Sequence, residues 1–269
     1  MTDSDNQGKL RYETAPRRRT RMLSTIVDQG FCTITELANS FQISEMTARR
    51  DAQKLAESES GLRIVHGGIS AVPLQQSEGT DYRMRAMSNH AAKQAIAAEV
   101  IRMLQPNVTI AIDSGTTGIA IAEAIPGDIS LNVVTQSLAA ANILLSKDNI
   151  EVTVLGGTLI RSLQAFAGPS TIAAIADLRI ELFFLSATSI DERGVLAGND
   201  FDAATKRALV DAADKVVLVS DSSKFSLSSR FRVCSLGRIS TLVTDDRLLA
   251  SHRQMVDNAG VTLIESSLN

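Results

Sequence analysis

Thr33–Asp51 reads Thr-Ile-Thr-Glu-Leu-Ala-Asn-Ser-Phe-Gln-Ile-Ser-Glu-Met-Thr-Ala-Arg-Arg-Asp, and its punctuation decides the first fold. Thr33 with Glu36 three residues later is a capping-box pair, so a helix starts there and runs to about Ser40. Ser44 is a natural cap for the next helix. In that helix Ala48, Ala52 and Leu55 recur at helical spacing and form the inward stripe, leaving Met46, Arg49, Arg50 and Gln53 outward. Two short helices joined by a tight turn, the second opening on polar residues and carrying paired arginines, is an arrangement that suits the DNA major groove. Amides at the helix start meet phosphate, and long donors reach guanine or phosphate oxygens.

The flanks extend this unit. Pro16 opens an upstream helix with Met22, Leu23, Ile26 and Val27 on one face, and Gly30 ends it. Downstream, Gly61 stops the third helix, and Leu62–His66 is a strand-like run closed by Gly67-Gly68, which suggests a hairpin wing. The expected organisation is a loose tail over 1–15, a winged helix-turn-helix domain over 16–72 and a linker over 73–81. Candidate DNA contacts are Arg18 and Arg19, Thr33 and Thr35, and the cluster Ser44, Glu45, Met46, Thr47, Arg49, Arg50 and Lys54. Arg63 and His66 join them from the wing. Glu45 and Asp51 would repel phosphate, so each must pair with an arginine or accept a hydrogen bond from cytosine. The Arg17–Arg21 run taken alone reads equally well as a solvated helix face.

Residues 82–269 alternate helix and strand. Helices are expected at about 82–104, from 117, at 139–145, 170–177, 202–213 and 246–258. Strands are expected at 108–113, 131–134, 151–155, 181–186, 216–221, 241–244 and 261–264. Short apolar strands between helices imply an α/β domain, a Rossmann-like parallel sheet covered on both faces. Such a sheet takes ligands at the carboxyl ends of its strands. Asp113-Ser114-Gly115-Thr116-Thr117-Gly118 sits at such an end, where glycine-exposed amides, two threonine hydroxyls and a helix dipole suit a phosphate group. Asp113 would bind a sugar hydroxyl or hold the loop. A βα turn of this kind with no ligand is an equally ordinary feature. Thr135-Gln136-Ser137, Gly156-Gly157 and Asp221-Ser222-Ser223-Lys224 follow other strands, and Lys206 and Lys224 are the available cations for an anionic ligand.

Arg18-Arg19, Glu36-Leu37-Ala38, Ser44 to Asp51 and His66-Gly67-Gly68 resemble, in order and spacing, the N-terminal signature of the DeoR family of bacterial transcription regulators. Ala48 and Ala52 stand where larger aliphatics are usual, and Ile64 where a basic residue is common. The family's sensor-domain motifs fall on Asp113–Thr117, Thr135–Ser137, Gly156–Gly157, Lys206 and Asp221–Phe225, with Ala204 in place of an acidic residue. The resemblance implies a sensor fold similar to ribose-5-phosphate isomerase and the coenzyme A transferases, which in many members responds to phosphorylated sugars. On it, the expected effector contacts are Asp113, Ser114, Gly115, Thr116, Thr117, Thr135, Gln136, Ser137, Gly156, Gly157, Lys206, Asp221 and Lys224.

Composition limits the alternatives. The 269 residues carry a net charge of −3, 44% hydrophobic residues, 4% aromatics and no Trp, so the core is aliphatic and the basic residues near the front are a local feature of an acidic body. Cys32 and Cys234 fit no metal pattern, and His66, His90 and His252 sit at no ligand spacing, so neither metal nor cofactor is expected. The polar start is not that of a signal peptide and no apolar run matches a membrane span, so the expectation is a cytoplasmic protein with no membrane partner. The expected function is a repressor of a carbohydrate operon whose partners are operator DNA, a sugar-phosphate effector and further copies of itself, as dimer or tetramer. An activator is not separable from a repressor here. An isomerase-like enzyme would need Asp113 or Asp191 as base.

Overall fold

The computed structural model describes residues 14–58, 62–65, 68–71 and 82–268. The chain divides into two units, Met1–Pro73 and Leu74–Asn269. The expected linker over 73–81, most of the expected tail and His66 lie outside the described residues.

The first unit runs α1 (Ala15–Gln29), β1 (Phe31–Thr33), α2 (Ile34–Ser40), α3 (Glu45–Ser58), β2 (Leu62–Val65) and β3 (Gly68–Ala71). Pro16 lies in the first turn of α1 and Gly30 closes it with φ 74°. The capping box at α2 is formed in both directions: Thr33 Oγ1 accepts from the Glu36 amide, and Glu36 accepts from the Thr33 amide. Met22, Leu23 and Ile26 of α1 are buried, as are Leu37 and Ala38 of α2, Ala48, Ala52 and Leu55 of α3, Leu62 and Ile69. Ala48 and Ala52 are wholly buried, so the small side chains of α3 lie on its inward face.

The wing hairpin pairs β2 with β3 from Leu62↔Ala71 to Val65↔Gly68. Strand β1 pairs with β3 on its other side, giving the order β1-β3-β2. The sequence reading had no β1. Three residues that follow a helix-ending glycine and end on a helix cap carry no period, and a partner some forty positions away decides their conformation.

The second unit contains α4 (Tyr82–Met87), α5 (His90–Met103), β4 (Thr109–Ile112), α6 (Thr116–Ala124), β5 (Leu131–Thr135), α7 (Leu138–Leu144) and β6 (Ile150–Val154). It continues with β7 (Thr158–Ile160), β8 (Ala165–Ala167), α8 (Pro169–Ala176), β9 (Ile180–Leu185), β10 (Ser189–Asp191), β11 (Gly194–Ala197) and α9 (Asp200–Ala212). It closes with β12 (Ala213–Val219), β13 (Phe231–Cys234), β14 (Thr241–Asp245), α10 (Ala250–Asn258) and β15 (Thr262–Ser266). Seven parallel strands form one sheet in the order β15-β14-β12-β9-β4-β5-β6.

Alternate strand residues feed two separate cores, as the two-residue strand period requires. Ala111, Phe183, Leu185, Val216 and Leu218 pack with residues of α8, α9 and α10. Ile110, Ile112, Phe184, Val217 and Val219 pack with residues of α5, α6 and α7.

Two features depart from the sequence reading. The helix expected over 82–104 is broken: Asn89 takes a left-handed φ of 51°, and its side-chain Nδ2 donates to Asp221 Oδ1 at 2.9 Å and Ser223 Oγ at 3.1 Å, separating α4 from α5. Asparagine is among the few non-glycine residues that accept this conformation readily. Two small antiparallel sheets, β7-β8 and β10-β11-β13, also lie outside the expected elements. Their strands are three or four residues long, too short for a period to register.

Candidate nucleic-acid interface and ligand cleft

In the first unit, α3 opens on Ser44, whose Oγ accepts from the Thr47 amide at 3.2 Å and lies 2.9 Å from Thr47 Oγ1. Its inward face holds Ala48, Asp51, Ala52 and Leu55; Arg49, Arg50, Gln53 and Lys54 are exposed, and Met46 is 74% exposed. Thr35 Oγ1 donates to Glu45 Oε1 at 2.6 Å, so α2 holds Glu45 rather than an arginine doing so. Arg63 is exposed on β2.

Arg18 and Arg19 stand differently. Asp51, buried on α3, receives Arg18 Nε at 2.8 Å and Nη2 at 2.6 Å on one oxygen and Arg19 Nη1 at 3.3 Å on the other. The partner that Asp51 needs comes from α1: Arg18 and Arg19, the two α1 arginines expected at DNA, are part-exposed and both paired with it. The exposed Arg49 and Arg50 keep the outward role.

In the second unit, the chain leaves β4 for β5 and β6 on one side, then crosses to β9, β12, β14 and β15 on the other. The boundary between β4 and β9 is therefore the point where successive connections diverge, the place where an open parallel sheet leaves a crevice beyond its strand ends. A cleft of about 700 Å³ lies there, open solvent included. It is lined by Ser114, Gly115, Thr116 and Thr117 after β4, by Ser186, Ala187 and Thr188 after β9, and by Arg85, Leu163, Asp202, Lys206, Lys224 and Leu227.

The floor is a buried charge network. Asp113, with no exposed surface, accepts from the Ser114 amide at 2.7 Å and Gln136 Nε2 at 2.9 Å on one oxygen. Its other oxygen accepts from the Ser186 amide at 3.1 Å and from the Ser186 hydroxyl, and lies 3.1 Å from Lys206 Nζ. Lys206 also reaches Asp202 Oδ2 at 3.1 Å and the Ser186 carbonyl at 3.0 Å. Burial alone would push the Lys206 pKa down, but Asp113 and Asp202 outweigh it and hold the pKa above the ordinary amine value. Burial pushes Asp202 above the ordinary carboxylate range, with Lys206 opposing. Asp113 thus holds the loop.

Above this floor, α6 begins at Gly115 with no side-chain cap, so its first amides are not taken up by a capping side chain. A Cβ at Gly115 would overlap the Ser186 side chain, so only glycine lets the β4 and β9 turns approach this closely.

The other expected effector residues serve the frame. Thr135 Oγ1 donates to the Ile112 carbonyl at 2.7 Å, Gln136 orients Asp113, and Ser137 caps α7 by accepting from the Ala140 amide at 3.1 Å; all three are buried. The Gly156 carbonyl accepts from Thr171 Oγ1 at 2.6 Å, and Gly157, at φ 141°, packs against Thr171 and Ala167 with no room for a side chain. Asp221 accepts from the Ser223 amide at 3.2 Å and caps the short 3-10 turn Ser222–Ser226, which carries the half-buried Lys224 into the cleft.

The sequence reading missed Ser186, Thr188, Leu163, Leu227 and Arg85. Ser186 and Thr188 follow a strand carboxyl end like the others, so the same rule applied to β9 finds them. Arg85 has no such signal, because its place depends on the break at Asn89.

Comparison with known proteins finds a family match in each unit. Residues 18–73 match the DeoR-like helix-turn-helix domain, and residues 88–246, more than half of the chain, match the DeoR C terminal sensor domain. The chain is 32% identical over 249 residues to the HTH-type transcriptional regulator GlpR of Haloferax volcanii, covering 92% of this chain and 96% of that protein. It is 31% identical over 230 residues to the glycerol-3-phosphate regulon repressor of Escherichia coli strain K12, covering 85% and 90%. It is also 33% identical over 228 residues to the L-fucose operon activator of Haemophilus influenzae, covering 84% and 90%. Among solved structures, ribose 5-phosphate isomerase A of Methanocaldococcus jannaschii aligns at 15% identity and a TM-score of 0.39 over 51% of this chain and 55% of that one, a likeness too distant to bear on chemistry. With both domains matched in order, this chain belongs to the DeoR family of helix-turn-helix transcriptional regulators.

Proposed function

We propose that this chain is a repressor of a carbohydrate operon, with α3 bound in the major groove of operator DNA and a phosphorylated sugar or related metabolite in the cleft setting that affinity. The observation that carries the effector half is the opening of α6. An uncapped helix start, ringed by Thr116, Thr117, Ser114 and Lys224, offers amides, hydroxyls and a cation to a phosphate. Lys206 and Asp113 neutralise each other beneath it and act by fixing the turn.

In this reading the chain is not an isomerase. Both Asp113 oxygens are engaged by protein donors, and Asp191 is held by Arg193 at 2.6 Å, outside the cleft lining. The name of the H. influenzae relative keeps the activator reading open, since the position of the operator, not the protein fold, sets the sign.

The reading includes a homo-oligomer, dimer or tetramer, because one helix-turn-helix unit spans few base pairs. Among the described residues no helix is long and apolar enough to cross a membrane. The reading places the chain in the cytoplasm, with its DNA.

A thermal-shift panel of sugar phosphates, polyol phosphates and their unphosphorylated parents tests the effector assignment. Stabilisation by phosphorylated compounds alone is expected, since a ligand of the folded state raises the melting temperature by mass action. Equal shifts with the unphosphorylated parents would contradict it.

A further inference from the structure

Among the described residues, Arg85 is the one cleft residue contributed by α4, and α4 is the first described element after residues 72–81, the stretch that joins the two units. The helix is six residues long and is held to the cleft from three sides. Thr116 Oγ1, at the opening of α6, donates to the Arg85 carbonyl at 3.3 Å, and Lys93 of α5 donates to the same carbonyl. The Arg85 guanidinium lies over the Tyr82 ring at 5.9 Å and donates to the Ser162 carbonyl at 3.3 Å, in the loop between β7 and β8. The left-handed Asn89 separates α4 from α5, so the two helices follow different axes except where Lys93 joins them.

The hydroxyl that tethers α4 therefore stands at the helix start where a phosphate would sit, and the cation that α4 contributes faces the same space. A phosphate oxygen accepting from Thr116 Oγ1 takes that hydroxyl from the Arg85 carbonyl. Its charge draws the guanidinium from the long contact with Ser162 into a charge-assisted pair. One ligand group thus exchanges the Thr116 and Ser162 contacts, while the Lys93 contact remains.

Resting on the phosphate reading of the cleft, we propose that Arg85 is the coupling residue of this regulator: it binds the effector's anionic group, and the resulting shift of α4 carries cleft occupancy into the chain leading to the DNA-binding unit. Lys224, carried by the 3-10 turn Ser222–Ser226, binds without coupling.

The test uses the full chain, wild type and with Arg85→Gln or Lys224→Gln, and a labelled duplex from its own upstream region. Glycerol 3-phosphate, fructose 1-phosphate and inorganic phosphate serve as probes. Affinity is read by calorimetry, operator binding by anisotropy at saturating probe, and the amides of 82–87 by hydrogen exchange. Both variants should weaken binding of the best probe by roughly tenfold. At saturation the Lys224→Gln protein should show the full wild-type change in operator affinity and in α4 exchange, and the Arg85→Gln protein should show neither. A full operator response in saturated Arg85→Gln overturns the coupling role while leaving the cleft assignment standing. Absence of binding of all three probes to the wild type overturns both, and the wild-type measurement alone identifies that case. Loss of operator affinity by Arg85→Gln without any probe would make the residue structural and also overturns the proposal.

Discussion

Helices α3 and α6 both begin at a polar turn and both face a phosphate-bearing partner in this account, yet they are built in opposite ways. At α3 the cap is filled by Ser44, and the helix offers side chains: Arg49, Arg50 and Lys54 stand exposed in water. At α6 there is no side-chain cap, Gly115 removes the side chain altogether, and the helix offers its backbone. The charges follow the same division. Those of α3 point outward, apart from Asp51, which α1 neutralises. Those beneath α6 are buried and mutually paired in the Asp113–Lys206–Asp202 network. A surface that must follow a long polyanion benefits from mobile exposed cations, whereas a pocket for one small anion benefits from fixed dipoles in a dry frame.

The contrast can be attacked first at its most buried point. Asp113→Ala removes the shared partner of Lys206, Ser186 and Gln136, leaving buried donors short of acceptors and Lys206 with Asp202 as its carboxylate partner. Urea unfolding should show a loss of about 3–5 kcal/mol. A loss below about 1 kcal/mol would mean that the network is solvated and the floor is not a frame.

A second pair of variants separates two kinds of arginine within the first unit. Arg18→Ala breaks a largely buried pair and should cost about 3 kcal/mol of stability. Arg49→Ala with Arg50→Ala should leave the unfolding curve within about 0.5 kcal/mol of wild type and weaken operator binding by roughly 100-fold, from two lost contacts. Exchange of these two signatures would reverse the roles assigned to α1 and α3.

A smaller effect is expected at Gly115→Ala. The added methyl meets the Ser186 side chain, and forcing the two turns apart should cost about 1–3 kcal/mol and abolish phosphate-dependent stabilisation in the thermal-shift panel. Unchanged ligand response would show that the close approach is incidental.

The smallest concerns the α2 cap. The Thr33 amide, and then its hydroxyl, hold the Glu36 carboxyl below the ordinary carboxylate range. Because the folded pKa is depressed, the contribution of this cap is present above the ordinary value and fades as pH falls through the folded one. In an NMR titration, Thr33→Ala should move the Glu36 midpoint upward; an unmoved midpoint would remove the hydroxyl from the account.

The sequence made these two helix starts unequally legible. The first was read almost whole, because caps, an inward alanine-leucine stripe and paired arginines all lie within 25 consecutive residues. What escaped there was the identity of the partner of Asp51, since Arg18 lies 33 positions away. In the second unit the strands and the glycine turn were legible, but the roles of the strand-end residues were not. Thr135, Gln136, Gly157 and Asp221 look like ligand groups when each strand end is read separately. The strand order, with β9 beside β4, separates Ser186 and Thr188, which line the cleft, from those four, which brace it. Arg85 depended on a helix break that helical periodicity alone would carry straight through.

The most direct measurement is a titration of the full chain onto a duplex from its own promoter region, repeated from low to moderate salt, with and without the sugar phosphates that raise its melting temperature. The account predicts tight binding that falls steeply with salt as phosphate contacts release counterions, and a shift in midpoint of roughly 5–150-fold on adding an effective sugar phosphate. Binding that is flat in salt, or a midpoint that no phosphorylated compound moves, would contradict it.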